Sequence, residues 1–238
     1  MENFYSIAGL IVKIKSYGRI EKQAEPYRIE GYHEADFTVS TEALDSSKKP
    51  PNCPQEVWEY VASGSVFYKN LLNYDGLMLH ASAVVVDGRA YLFTADPGTG
   101  KSTHTGLWLQ YFGDRAFILN DDKPALRLEN GVWYAYGTPW SGKNDISRNE
   151  RVPVAGIAFL ERAEGNTIAP FGGKEAVVAI MRQVNRPRMA EYRIKLMTLL
   201  DKLITQVPVW KLGCNMDIQA VTVAHGAMSG ARQKGETK

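Results

Sequence analysis

Cysteine is scarce in this chain: Cys53 and Cys214 are the two in 238 residues, and they lie far apart in sequence. They form no metal-binding spacing, and the expectation is reduced thiols in a cytoplasmic protein rather than a disulfide. Charge of one sign is also lacking. Lys and Arg number 28 against 26 Asp and Glu, a formal net charge of +2. That balance gives no electrostatic case for nucleic acid or a membrane surface as partner. No apolar run approaches the roughly 20 residues that span a bilayer. The opening MENFYSIAGLIVKIKSYGR has no basic region before its short apolar stretch and no small-residue cleavage site after it, so it reads as a strand rather than a signal peptide. Internal repeats and low-complexity segments are absent. What is present is ordinary for a globular protein, with 45% hydrophobic and 23% charged residues. The length suits one large domain, or a large domain with a small appendage.

Residues 1–50 form a β-rich unit in this reading. Apolar and polar side chains alternate at Ser6–Lys15, Tyr27–Tyr32 and Asp36–Thr41, as in an antiparallel sheet with one buried face. Ser46–Pro54 is a turn-rich linker. Residues 55–229 form the main domain. Val57–Leu72 has helical spacing, with Val57, Tyr60, Val61 and Leu71 or Leu72 on one side. Leu77–Thr94 reads as a hairpin turning at Asp87-Gly88. A helix at Ser102–Phe112, a buried strand at Ala116–Leu119 and a hairpin at Leu126–Tyr136 turning on Asn130-Gly131 follow. Pro153–Leu160 is a near-continuous apolar strand, buried on both faces. Helices near Lys174–Gln183 and Arg188–Ile204 precede a strand at Val207–Leu212, where Pro208 suggests a sheet edge. The last helix lies near Met216–Ala227, and residues 230–238 read as a polar, disordered tail. Hairpins alternating with strand–loop–helix units predict an α/β fold with a mixed sheet.

The second arm of the first hairpin feeds into Ala95-Asp96-Pro97-Gly98-Thr99-Gly100-Lys101-Ser102, followed by Thr103. This is the phosphate-loop pattern G-x-x-x-x-G-K-[ST] with Ala95 in place of the first glycine, set between a strand and a helix as the motif requires. Gly98 and Gly100 let backbone N–H groups turn toward one anion. The helix N-terminus adds unpaired N–H groups and partial positive charge. Lys101 can reach the β- and γ-phosphates, and the Ser102 hydroxyl can ligate Mg²⁺. The expected ligand is a nucleoside triphosphate, ATP with Mg²⁺. Ala95 implies a backbone angle that does not need glycine, and Asp96 is an anomaly beside phosphates.

Asn120-Asp121-Asp122 follows a buried strand, and ligands of open α/β sheets sit at the carboxyl ends of strands. One carboxylate there can hold Mg²⁺ while a neighbour accepts a proton from an attacking hydroxyl. The segment Tyr136–Lys143 carries small residues, a proline and a tryptophan. It is either an exposed loop whose Trp140 and Lys143 face a substrate or a structural turn with Trp140 packed beneath it. Arg148 and Arg151 are candidates to stabilise charge on the transferring group. His80, near a strand, is by itself more commonly a packed core residue. His33, His104 and His225 have no partner visible in sequence.

The run LMLHASAVVVDGRAYLFTADPGTGKSTHTGLWL, followed by LNDDKPAL, resembles the HPr kinase/phosphorylase family and its phosphoenolpyruvate carboxykinase-like relatives. Three features in order carry the resemblance: Leu79-His80 on a strand, the phosphate loop, and the paired aspartates. It implies a mixed-sheet P-loop core unlike the doubly wound sheet of common NTPases. It implies Asp121 as general base toward a hydroxyl, Asp122 and Ser102 as metal ligands, and His80 lining the phosphate site. It also implies an arginine on the γ-phosphate, with Arg151 the first candidate and Arg148 the next. The family's glycine-rich signature after the aspartates is absent, and GTPWSGK stands in that region. The chain looks more like the compact HPr-kinase-like proteins found beside peptide-modification genes. The activity implied is ATP-dependent transfer to a hydroxyl, Ser or Thr of a protein or peptide. A small-molecule kinase and a nucleotide-binding regulator are the alternatives. Relatives of this kind are commonly homo-oligomers.

Overall fold

The computed structural model describes residues 3–15, 18–41, 49–230 and 233. The chain is α/β with mixed sheets. A small N-terminal sheet has the order β3-β1-β2-β4, built from β1 (Asn3–Ile7), β2 (Leu10–Ile14), β3 (Arg28–Ile29) and β4 (Phe37–Val39). The expected single run at Ser6–Lys15 is broken by a tight turn at Ala8-Gly9 between β1 and β2. The expectation of a wholly antiparallel sheet also needs correction, because β4 pairs with β2 in parallel. A short helix that the alternating pattern did not announce, α1 (Arg19–Ala24), supplies the connection. Part of the Ser46–Pro54 linker lies outside the described residues.

Helix α2 (Gln55–Leu71) bridges this sheet to the main domain. Its buried face matches the expected one at Tyr60 and Leu71 but not at Val57 and Val61. Val57 and Val61 are exposed, while Tyr60, Gly64, Phe67, Tyr68 and Leu71 point inward. The inward set recurs at three- and four-residue steps, as an amphipathic helix requires.

The main sheet runs β5-β9-β10-β11-β7-β6-β8, with β13 added to β11 and β12 to β13. Its strands are β5 (Gly76–Met78), β6 (Ser82–Val86), β7 (Arg89–Thr94), β8 (Ala116–Asn120), β9 (Ala125–Glu129), β10 (Val132–Tyr136), β11 (Arg151–Arg162), β12 (Thr167–Pro170) and β13 (Val209–Cys214). The turns at Ala8-Gly9, Asp87-Gly88 and Asn130-Gly131 each place two successive residues at positive φ. That geometry matches strand twist in two-residue hairpins.

Strand β11 is the spine. Its first residues pair with β10, and its remainder runs parallel to β7 and β13, with an irregularity between Val154 and Gly156. Burial from Val154 to Leu160 is continuous, as the apolar run PVAGIAFL predicts for a strand covered on both faces. Helices α3 (Lys101–Phe112) and α6 (Gln219–Met228) cover one face around Phe93, Trp108, Ala158 and Val221. Helices α4 (Gly173–Arg182) and α5 (Ala190–Gln206) cover the other around Leu92, Ile157, Ile180 and Leu200.

Three further expectations are corrected. The arm LMLHASAVVV is two strands, because β5 pairs with β9 while β6 pairs with β7 and β8. The chain changes partners at Leu79-His80-Ala81. Strand β13 is not an edge, since β12 covers its outer side. Pro208 precedes the strand and gives its carbonyl to the Ile157 N–H at 3.0 Å, so the missing donor costs the ladder nothing. Within the tail, Gln233 is buried and ordered. Its side-chain amide accepts from the Trp133 N–H at 2.7 Å and donates to the Trp133 and Val154 carbonyls. The other tail residues from 231 on lie outside the described residues.

Candidate active site

The connection from β7 to α3 is the glycine-rich segment whose sequence matches the phosphate-loop pattern. Gly98 and Gly100 have φ of +79° and +117°, angles that cost an L-residue strain. Ala95 is not among the residues at positive φ, which explains why alanine serves there, and it is buried against the α3 side of the sheet. The Asp96 carbonyl accepts from the Thr99 N–H at 3.2 Å and the Thr99 hydroxyl at 2.8 Å, and residue 96 itself is exposed. Lys101 folds back so that Nζ donates to the Ala95 carbonyl at 3.2 Å. Burial pushes the Lys101 ammonium below its ordinary pKa, and Asp122, Asp121 and Asp96 offset this only in part. Arg162, at the end of β11, donates to the Gly98 carbonyl at 2.6 Å and the Thr99 carbonyl at 3.4 Å. It holds loop carbonyls on one side, an arrangement that leaves N–H groups for an anion.

Strand β8 ends beside this loop. The Asn120 side chain is buried and fixes the turn after it. Its Oδ1 accepts from the N–H groups of Asp122 and Lys123 at 3.0 and 2.7 Å, and its Nδ2 donates to the Thr138 carbonyl at 3.0 Å. Asp121 then meets the phosphate loop directly. The Ser102 hydroxyl donates to its Oδ2 at 3.1 Å, and the buried Ser82 hydroxyl donates to its Oδ1 at 2.7 Å. Asn144 Nδ2 adds a contact at 3.3 Å. Three of the roughly four acceptor positions of the carboxylate are thereby used.

Asp122 has a different environment. His80 Nε2 lies 3.1 Å from its Oδ1, and Lys123 Nζ contacts its Oδ2. Burial acts to raise the Asp122 pKa, but His80 and Lys123 outweigh it and hold the carboxyl below its usual range. His80 is fixed in turn by Gln183, whose Oε1 is 3.2 Å from Nδ1 and whose carbonyl accepts the His80 N–H at 2.7 Å. The break between β5 and β6 places His80 here. The structure therefore places His80, Lys101, Ser102, Asp121 and Asp122 near one another. It sets the Ser102 hydroxyl against Asp121 rather than Asp122.

The remaining candidates lie elsewhere. Trp140 is 1% exposed, stacked on Phe67 at 4.7 Å and donating to the Ser63 hydroxyl at 3.2 Å. Of the two readings of its loop, the packed turn is the one found. Arg151 starts β11 and pairs with Glu129 at 3.1 Å, whereas the phosphate loop leaves β7 beyond Thr94, opposite Phe159. Eight residues of β11 separate the two, about 25 Å of strand. Arg148 lays its guanidinium on the Phe117 ring, 4.1 Å from its centroid. Neither arginine touches the aspartates. Replacing Arg151 with glutamine is expected to leave any phosphoryl transfer unaltered and to cost under about 1 kcal/mol, the worth of an exposed ion pair; steady-state rates and urea melts check both. Lys143 is exposed and follows Gly142, which packs on Asp122 so closely that an added Cβ would lie 2.9 Å from the Asp122 Cβ.

That loop is held from the N-terminal unit and from α2. Arg19 and Gln23 of α1 donate to the Gly142 carbonyl, and the Tyr60 hydroxyl accepts the Gly142 N–H at 3.0 Å. Sequence reasoning missed Lys123, Asn120, Ser82, Gln183 and Arg162. The first two were within reach, because an asparagine before a turn bonds N–H groups two and three residues on, and Lys123 is next in line. Gln183 and Arg162 arrive from distant elements with no local signal.

His104 behaves as a core residue. Its Nε2 accepts from the Trp108 indole N–H at 3.1 Å, and burial lowers its pKa to about 4. A depressed folded-state pKa means the unfolded chain binds the proton first. The contribution is complete above about pH 6.5 and is lost as pH falls toward 4, an expected change of about 3 kcal/mol. Urea melts at pH 7 and 4.5 should show this slope in the wild type and a smaller one in His104→Gln.

The model of the family described as SynChlorMet cassette protein ScmC matches residues 54–219. The chain belongs to the ScmC family. The ScmC match takes in the phosphate loop, the aspartate pair and His80, and begins just before α2. No curated relative matches the chain. Among solved structures, the Hpr(Ser) kinase/phosphatase from Coxiella burnetii is similar over 64% of this chain and 93% of that one, at 14% identity and a TM-score of 0.36. Among the described residues, no helix is long and apolar enough to cross a membrane.

Proposed function

We propose that this chain is an ATP-dependent kinase with a P-loop core, transferring the γ-phosphoryl group to a hydroxyl, that of Ser or Thr in a protein or peptide. The observation carrying this reading is the 3.1 Å contact between the loop hydroxyl of Ser102 and Asp121, with Asp122 and His80 alongside. Transfer to a hydroxyl needs a proton acceptor as well as charge neutralisation, and two adjacent carboxylates at a strand end offer both. The loop amides and Lys101 would hold the phosphates. Ser102 and Asp122 offer the hard oxygen donors that Mg²⁺ takes when it binds through few protein ligands and substrate phosphates. Bound Mg²⁺ would neutralise charge on the β- and γ-phosphates. Asp121 would take the acceptor proton as the acceptor oxygen attacks phosphorus and ADP departs. Lys123 stands at the Asp122 carboxylate as a further cation.

The family description as a cassette protein directs the search for the acceptor to products of the same cassette. The test is incubation with Mg²⁺ and γ-labelled ATP in the presence of Ser/Thr peptides and small hydroxy compounds. Label on a peptide hydroxyl is the expected result. Label only on a small molecule would replace the peptide reading, and ATP binding with no transfer would make the chain a regulator.

A further inference from the structure

A cavity of about 470 Å³ opens beside the phosphate loop, within the range of ligand pockets, roughly 300–1,000 Å³. One end is Gly98–Gly100 and Thr103, and the far walls are Leu107 of α3, Leu160 of β11, Ala163 and Met216. Neither aspartate nor His80 lines it. A triphosphate seated on the loop with its terminal phosphate toward Asp121 would have its other end within reach of this cavity, whose wall is more apolar than that of the cavity on the other side of the loop, lined by Asp96, Arg182 and Lys211. We infer that the cavity receives the base and ribose of the donor, and that it selects them by shape and apolar contact rather than by reading the edge of the base. This rests on the nucleotide reading proposed above.

Most polar side chains of the cavity wall are committed elsewhere; the exceptions are the Thr103 hydroxyl at the loop end and His104 Nδ1, which is buried without a partner among the described residues. Arg162 holds the loop carbonyls. Asn215 donates through Nδ2 to the Glu164 carbonyl at 2.8 Å and accepts the Asp217 N–H on Oδ1 at 2.9 Å. Glu161 pairs with Lys211 at 2.9 Å. The His104 ring in this wall is bound to Trp108 through Nε2. Sites that read a hydrogen-bonding group reject its analogue by roughly 10⁴–10⁵-fold, whereas an apolar wall discriminates by about 10–200-fold. ATP and GTP are accordingly expected to bind within about tenfold of each other.

The experiment is calorimetric titration of wild type, Leu107→Ala and Met216→Ala with ATP, GTP and inorganic tripolyphosphate, each with Mg²⁺. In the wild type all three should bind. Leu107→Ala should weaken ATP and GTP by at least about tenfold and leave tripolyphosphate unchanged. Met216→Ala, at an exposed position of the same wall, should shift the ratio in the same direction and decides the matter if Leu107→Ala loses all three ligands. Unchanged ATP affinity in both variants would overturn the cavity assignment, and a strong preference for one purine would overturn recognition by shape. Failure of the wild type to bind tripolyphosphate or ATP would instead overturn the phosphate-loop reading beneath it.

Discussion

Asp121→Asn is expected to lower the rate of phosphoryl transfer by about 10²–10⁴-fold, the usual worth of a general base, while ATP affinity stays close to wild type. The asymmetry follows from the contacts. Asp121 touches Ser82, Ser102 and Asn144, and it donates nothing to the loop that would bind phosphates. An asparagine keeps the shape and one acceptor oxygen, so one of the two serine hydroxyls keeps its acceptor and the other can accept from the new amide. What it loses is the ability to take a proton. Asp122→Asn should behave differently, raising the Mg²⁺ concentration needed for half-maximal rate, since that carboxylate sits among cations. Rates and ATP affinities measured over a Mg²⁺ series separate the two roles. Wild-type transfer by Asp121→Asn would end the assignment of Asp121 as base.

Trp140→Ala is expected to destabilise the fold by about 3–5 kcal/mol, the range for deleting a large buried aromatic side chain, a large fraction of a typical domain's stability. Trp140 stacks on Phe67, meets Tyr68 edge-on at 5.5 Å and hydrogen-bonds Ser63. The residue opposite is Gly64, where a Cβ would lie 2.9 Å from the Trp140 ring. The indole is thus fitted to one glycine of α2, and Gly64→Ala should be damaging for the same reason. Truncating Trp140 also releases the loop that packs on Asp122 through Gly142. Activity should therefore fall at temperatures below the melting transition, and melting curves paired with rates would show the two losses separately. A Trp140→Ala protein as stable as the wild type would show that the loop is not held from below.

The glycine-rich turn between β7 and α3 and the position of the aspartate pair at the end of β8 were legible because local sequence determines them. Gly98 and Gly100 are required by their own backbone angles, and Asp121 follows a short apolar strand whose end can face only one way. The hairpin turns were legible for the same reason. The break at His80 was not. Apolar residues flank it on both sides, and only the change of partner from β9 to β7 interrupts the strand. Trp140 was ambiguous because small residues and a proline mark either an exposed loop or a tight one, and the glycine that receives the ring lies on another element. Arg151 was misplaced for a related reason. Its position before an apolar strand says that it is at a strand terminus but not which end of the sheet holds the ligand. Residues that reach the site from a distance, such as Gln183 and Arg162, leave no local trace.

Titration of Mg²⁺-ATP into wild type and Lys101→Met tests the central claim most directly. Saturable, Mg²⁺-dependent binding is expected in the wild type. In Lys101→Met it should be weaker by about 10–100-fold, the loss of one charge-assisted hydrogen bond. Equal affinity in the two proteins, or no binding in the wild type, would contradict the assignment of residues 95–102 as a triphosphate-binding loop.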